Sequence, residues 1–303
     1  MDKKELARLL ARSAAEFISG PDNDLNLPGG PEPAFGPPLI GFAAGDDTLW
    51  REFKTAVHPG HWTPAEAFAE AFGRAPSVVS VMCWVLPQTG ATISDQKKET
   101  GEPAERWIRN RFFGQTRVCD GLARKLIEQL AALGIESCAP EMLPAWRWLL
   151  DGEQGLATPW SQRHAAYAAG LGTFGLCDGL ITPAGKAMRL GTLVLESAPE
   201  PTPRGYSGYQ EYCLYHASGA CGKCIKRCPA GAVTEAGHDK TICREYLYGT
   251  LRPKLIADWP GFTGGPDEDV PPARFRAPKP TACGLCQVGV PCESGLPGRR
   301  RAD

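Results

Sequence analysis

Leu6, Leu9, Leu10, Phe17 and Ile18 recur at helical spacing and predict a first helix from about Lys3 to Ser19, which Gly20 and Pro21 stop. A Pro- and Gly-rich stretch to about Pro38 reads as loop. Thr63-Pro64-Ala65-Glu66 is a capping box with proline at the first helical position, and its helix runs to Gly73. Val78 to Leu86 is a continuous apolar run rich in β-branched residues, the pattern of a strand buried on both faces. Leu122, Leu126, Leu130 and Leu133 form one stripe of a helix from about Arg117 to Leu133, closed by Gly134. Ile135 to Ala139 and Arg189 to Glu196 then read as strands. The alternation predicts an α/β (α+β) N-terminal domain over residues 1–205, and the proline-spaced stretch from Ala198 to Pro203 reads as a stiff linker.

Composition adds limits. The 303 residues are 43% hydrophobic, enough for a sizeable core, and 33 basic against 34 acidic residues leave a net charge of −1. That balance supplies no global field, so neither nucleic acid nor an anionic membrane is expected as a partner, and Arg299 to Arg301 reads as a solvated tail. No apolar run reaches the roughly 20 residues of a membrane span. The first residues lead into an amphipathic helix rather than a signal segment, and a cytoplasmic address is expected.

Twelve cysteines in such a compartment are not expected to pair as disulfides. Cys83, Cys119, Cys138 and Cys177 are scattered, Cys83 reading as core packing, whereas eight fall between Cys213 and Cys292, in a cysteine-rich part spanning 206–303. Cys221-Gly-Lys-Cys224-Ile-Lys-Arg-Cys228-Pro229 has the spacing and trailing proline of bacterial ferredoxins, in which the last thiolate of the run serves a second cluster. The usual further cysteine, three residues upstream, is Ser218 here, and Cys213 is the nearest substitute. The expected sets are Cys213, Cys221, Cys224 and Cys292 on one [4Fe–4S] cluster, with Cys228, Cys243, Cys283 and Cys286 on the other. Two four-cysteine zinc sites are the competing reading, and Cys213 as a spectator thiol is another.

The cysteine motifs, with Cys243-Arg-Glu-Tyr-Leu and Cys283-Gly-Leu-Cys286-Gln, resemble the paired-cluster region of epoxyqueuosine reductases. The segment from Arg163 to Gly175, followed by Leu180-Ile-Thr and Gly185, resembles what those enzymes share with reductive dehalogenases, so that residues 155–295 are covered. The resemblance implies a ferredoxin-like module with two [4Fe–4S] clusters beside a bound cobalamin, with Arg163, His164, Gly170, Gly172 and Gly175 near that cofactor. Arg163 and His164 serve equally well as anchors of a helix start, and the glycines equally well as a turn. Leu156 stands where that family has its acidic proton donor, which argues against epoxyqueuosine itself as substrate; Glu153 and Tyr167 are the remaining proton-donor candidates. Cys177 follows the glycine turn, as a packing thiol or facing the cofactor. Trp62, Trp84, Trp107 and Trp160 read as core.

Two functions follow. One is a cobalamin-dependent reductase of a small organic substrate, fed through two clusters by an external low-potential donor such as ferredoxin or flavodoxin. The other is an electron-transfer protein that has lost corrinoid chemistry. Leu156 and Leu176 favour the second; the long N-terminal part favours the first.

Overall fold

The computed structural model describes residues 2–150, 152, 155–259 and 281–298. Glu153 and Arg299 to Arg301 lie outside them. Asp2 caps the first helix, α1 (Lys3–Ile18), through its carboxylate, and Glu5 closes the capping box. Its Leu6, Leu10 and Ala14 turn inward. A strand the sequence pattern did not announce, β1 (Leu39–Ala44), follows the Pro-rich loop, and then α2 (Leu49–Ala56). The Thr63 capping box opens α3 (Pro64–Phe72), which ends where Gly73 takes φ +68°.

The long apolar run becomes β2 (Ser80–Pro87). Helices α4 (Gly90–Lys98) and α5 (Glu105–Phe113) come next. The helix expected from Arg117 is the end of this longer run: a π-helical turn over Gly114–Cys119 joins α5 to α6 (Asp120–Ala132). Then come β3 (Ser137–Cys138), α7 (Gln162–Ala168), the hairpin β4 (Thr173–Phe174) and β5 (Leu180–Ile181), and β6 (Met188–Leu195). The cysteine-rich part has short elements: α8 (Leu214–Ser218), α9 (Lys223–Lys226), the hairpin β7 (Val233–Thr234) and β8 (Gly237–His238), α10 (Lys240–Glu245) and α11 (Arg252–Asp258).

The main sheet runs β1-β2-β6-β3, with every neighbour antiparallel. Strand β2 is buried on both faces because helices cover both. Val81, Cys83 and Val85 enter one core with Trp50, Phe53 and Phe68 of α2 and α3; Met82, Trp84 and Leu86 enter the other with Leu10, Leu122 and Leu126 of α1 and α6. Each fully buried large side chain contributes roughly 1.5–3 kcal/mol. Trp84 fits because its partner on β6 is Gly191, where a Cβ would lie 2.2 Å from the indole. The stretch from Ala198 to Pro203 packs on the sheet: the Thr202 amide donates to Phe42 O at 2.9 Å, and the Phe42 amide to Thr202 Oγ1 at 3.0 Å. Among the described residues no helix is long and apolar enough to cross a membrane.

Candidate functional site

Two adjoining cavities lie where the parts before and after residue 205 meet. The smaller is lined by Cys213, Cys221, Cys224 and Cys292 from the cysteine-rich part and by Gly175 and Lys186 from the N-terminal part. Cys213 sits at the start of α8, and Cys224 lies within α9, whose four residues are too few to bury it alone; both cysteines are buried. Ser218, at the position of the missing motif cysteine, is exposed and spends its hydroxyl on Leu214 O at 3.0 Å.

The other set gathers beside it. Burial, followed by the nearby Cys243 and Cys228, pushes the Cys283 thiol up to about 11. Gly284, at φ +67°, has no room for a side chain, since a Cβ would lie 2.2 Å from the Trp107 ring. Gln96 of α4 donates to Cys283 O at 2.7 Å, and Arg227 Nε donates to Leu285 O at 3.2 Å and to Val288 O at 3.1 Å. His238 lies between Asp178 Oδ2, at 3.1 Å, and Cys243; burial works against its charge, but these two partners hold it raised to about 9. Among the described residues no group of three His, Cys, Asp or Glu side chains closes on one point as a single metal ion requires.

Cys177 joins the two sets. It packs with Cys224 and Cys286, and the closeness of the three sulfurs holds Cys177 well below the ordinary thiol range and those two thiols above it. Lys186 Nζ lies 3.2 Å from Cys177 Sγ and is 3% exposed. The turn carrying Lys186 is fixed by the cysteine-rich part: the Lys186 amide donates to Cys292 O at 2.8 Å and the Ala187 amide to Glu293 O at 3.0 Å. Gly185, at φ +91°, permits this contact, because a Cβ there would lie 2.3 Å from Glu293 O.

The larger cavity, about 830 Å³, also has Lys186 on its wall. It is lined by Gln115 and Thr116 of the π-helical turn, by Trp146 and Trp160, and across the boundary by Tyr248 and Gln287. A π-helical turn at such a wall is a common functional device. Arg111, Arg147, Arg163, Arg189 and Arg252 also face it, against the single acidic wall residue Glu141 among the described residues. Among the described residues Arg189 Nε is buried without a hydrogen-bond partner. Burial, and then repulsion from Arg111 and Arg163, lowers Arg189 to about 9.

The residues expected near a cofactor therefore separate. Arg163 lines the large cavity. His164 is a packed, neutral ring: burial holds it well below 6.5, Ser161 Oγ is 2.7 Å from Nδ1, and Phe53 and Phe174 lie 5.0 and 4.7 Å away between ring centroids. Gly170 closes on Pro203 O and Gly172 on Ile181 O, at 2.9 and 2.2 Å from a would-be Cβ, so both serve backbone-to-backbone packing. Gly175 lines the cysteine cavity. Tyr167 is buried among Phe174, Tyr206 and Tyr209, away from the large cavity's wall, and its carbonyl accepts from Tyr206 Oη at 2.5 Å. Trp84, Trp107 and Trp160 are core, and Trp160 also reaches the large cavity. Lys186, Arg189, Gln96 and His238 were not singled out from sequence. Only Lys186 left a signal there, as a charge between Gly185 and an apolar strand.

No family profile and no curated protein matches the chain. Among solved structures it is similar to a selenomethionine-labelled epoxyqueuosine reductase (16% identity, TM-score 0.49, covering 98% of this chain and 68% of that one). It is similar also to the epoxyqueuosine reductase of Bacillus subtilis (16%, TM-score 0.48, 98% and 67%). A catabolic reductive dehalogenase is similar at 14% identity and TM-score 0.45, over 81% of this chain and 34% of that one. One epoxyqueuosine reductase structure, similar at 17% identity and TM-score 0.47, holds a tRNA stem loop. The expectation against a nucleic-acid partner finds no support, because a net charge averages over the whole chain and hides the arginines gathered at one cavity. The chain's own architecture is mixed α/β, and at such identities and TM-scores nothing about its activity follows.

Proposed function

We propose that the chain is an iron–sulfur oxidoreductase that passes electrons through two [4Fe–4S] clusters to the large cavity, where a small organic anion is reduced. The observation that carries this reading is the double placement of Lys186, on the wall of the cysteine cavity and on that of the large one, so that the two are separated by one side chain. The donor set fits cubane clusters. Four thiols line one cavity, four more lie next to it, and Cys177 touches one member of each set.

The large cavity fits a corrinoid. Trp146, Trp160 and Met188 offer apolar surface to a flat ring, and Gln115, Gln162 and Gln287 offer amides to its amide side chains. When bound, a corrinoid supplies low-potential cobalt chemistry that no side chain provides. The chain's own part is to orient the substrate's anionic group on Arg163 and Arg189 and to exclude water behind Trp160. The electrons come from an external low-potential carrier such as ferredoxin or flavodoxin. Residues 1–205 supply the substrate side and 206–303 the clusters, with the site on their boundary. Leu156, in place of an acid, favours the second reading, an electron-transfer protein without corrinoid.

Anaerobic reconstitution with iron and sulfide, followed by incubation with cobalamin and desalting, tests both. About eight irons per chain and retained corrinoid absorbance are expected. Iron without retained corrinoid leaves only the electron-transfer reading, and zinc or no metal removes both.

A further inference from the structure

Lys186 is a buried primary amine that donates a hydrogen bond to sulfur. Its Nζ lies 3.2 Å from Cys177 Sγ, and it lines the cavity walled by Cys213, Cys221, Cys224 and Cys292. A buried lysine would ordinarily lose its proton or be replaced by an apolar side chain of the same reach.

What would repay the burial of a cation at this point is negative charge larger than one thiolate. We infer that Lys186 is the fixed countercharge of the iron–sulfur centres, held in place by Cys177 and by the clamp of its own turn on Cys292 and Glu293, and that it raises their reduction potentials. This inference rests on the reading of the cysteines as cluster ligands. Each reduction adds one electron, given up by the external carrier, with no proton and no bond made or broken. The net charge of the cubane and its thiolates becomes more negative by one, and a cation in a low-dielectric interior favours that reduced form. Cys177 has a distinct part, since it belongs to neither expected ligand set yet packs with Cys224 and Cys286, one member of each. Its contact with the ammonium, 3.2 Å away, holds that charge beside both sets.

The test is a dye-mediated redox titration, followed by electron paramagnetic resonance, of the anaerobically reconstituted full chain with Lys186 intact and as Lys186→Met, Lys186→Gln and Lys186→Arg. With neutral Met or Gln the ratio of reduced to oxidised cluster at a given ambient potential should fall about tenfold or more for at least one centre, roughly 59 mV for a one-electron couple. Arg, which keeps the charge, should stay near the parent. Unchanged midpoints in both neutral variants with full iron content overturn the inference while leaving the cluster reading intact. Loss of the clusters in both neutral variants also overturns it, because Lys186 would then be needed for assembly rather than for potential. A parent chain that assembles no clusters overturns the inference together with the reading beneath it.

Discussion

Gln96 of α4 donates a hydrogen bond to the carbonyl of Cys283, at 2.7 Å and across 187 positions of sequence. The same buried amide accepts from the Ala104 amide at 2.8 Å, and the Gln96 carbonyl takes Arg227 Nη2 at 3.2 Å. One side chain of the N-terminal part thus fixes the loop carrying two of the second set's cysteines. Gln96→Leu leaves two buried backbone groups without partners and should lower stability by about 2–4 kcal/mol. It should also free the Cys283 loop, so that iron is lost from one centre on exposure to a chelator several times faster than in the parent. Denaturant unfolding and chelation kinetics check the two effects, and identical values in both would show that Gln96 does not hold the loop.

Ser218 and Cys213 compete for one role. Ser218 is exposed and bonded within its own helix, whereas Cys213 is buried on the cavity wall with three other thiols. Cys213→Ser should therefore reduce the iron content of reconstituted protein to about half, with one of two cluster signals lost, and Ser218→Cys should restore nothing in that background. Cys177→Ala should keep full iron. A Cys213→Ser protein with two intact centres would remove Cys213 from the ligand set.

These features were unequally legible in the sequence. Thr63-Pro64-Ala65-Glu66 and Gly73 announced α3 because capping is local chemistry, and the run from Val78 to Leu86 announced β2 because a strand covered on both faces is predominantly apolar. Strand β1 was hidden. Gly41 faces the backbone of Ala169, where a Cβ would lie 2.4 Å from the carbonyl oxygen, so a residue poor in strand preference is required by a contact 128 positions away. The cysteine spacings suggested chemistry without position, and Cys177 looked like packing because the thiols beside it, Cys224 and Cys286, lie more than 40 residues further on. Arg189 looked like the first residue of a strand and is the second of β6; that its side chain faces a cavity is settled only by the antiparallel pairing of Leu86 with Arg189.

Arg189 brings a buried donor without a partner to the wall of the large cavity, beside Arg111 and Arg163. An anion there would satisfy it. Arg189→Met should stabilise the ligand-free chain by on the order of 1–3 kcal/mol, the usual cost of an unsatisfied buried polar group. Quenching of tryptophan fluorescence by benzoate or inorganic phosphate, with Trp146 and Trp160 on the wall as reporters, should require about tenfold more anion in this variant. Equal affinity and equal stability would mean that the guanidinium meets solvent and has no part in recognition.

His61 makes acid stability predictable. Burial, then the Lys54 ammonium, lowers it to about 4 from 6.5, and its Nε2 accepts from the Ser161 amide at 3.1 Å, a bond that needs the neutral ring. His164, 6.5 Å away between ring centroids, is held neutral by burial in the same sense. Between about pH 6.5 and pH 4 the unfolded chain binds a proton at each histidine that the folded chain refuses, so stability falls as pH falls through this window and is fully present above it. For His61 the loss approaches about 3 kcal/mol at the acid end. His61→Gln retains an acceptor for Ser161 and cannot titrate. The difference in unfolding free energy between parent and variant, measured in denaturant at pH 7.5, 6, 5 and 4.5, should shrink steadily on acidification; a difference that does not change with pH would show that His61 is protonated in the folded chain.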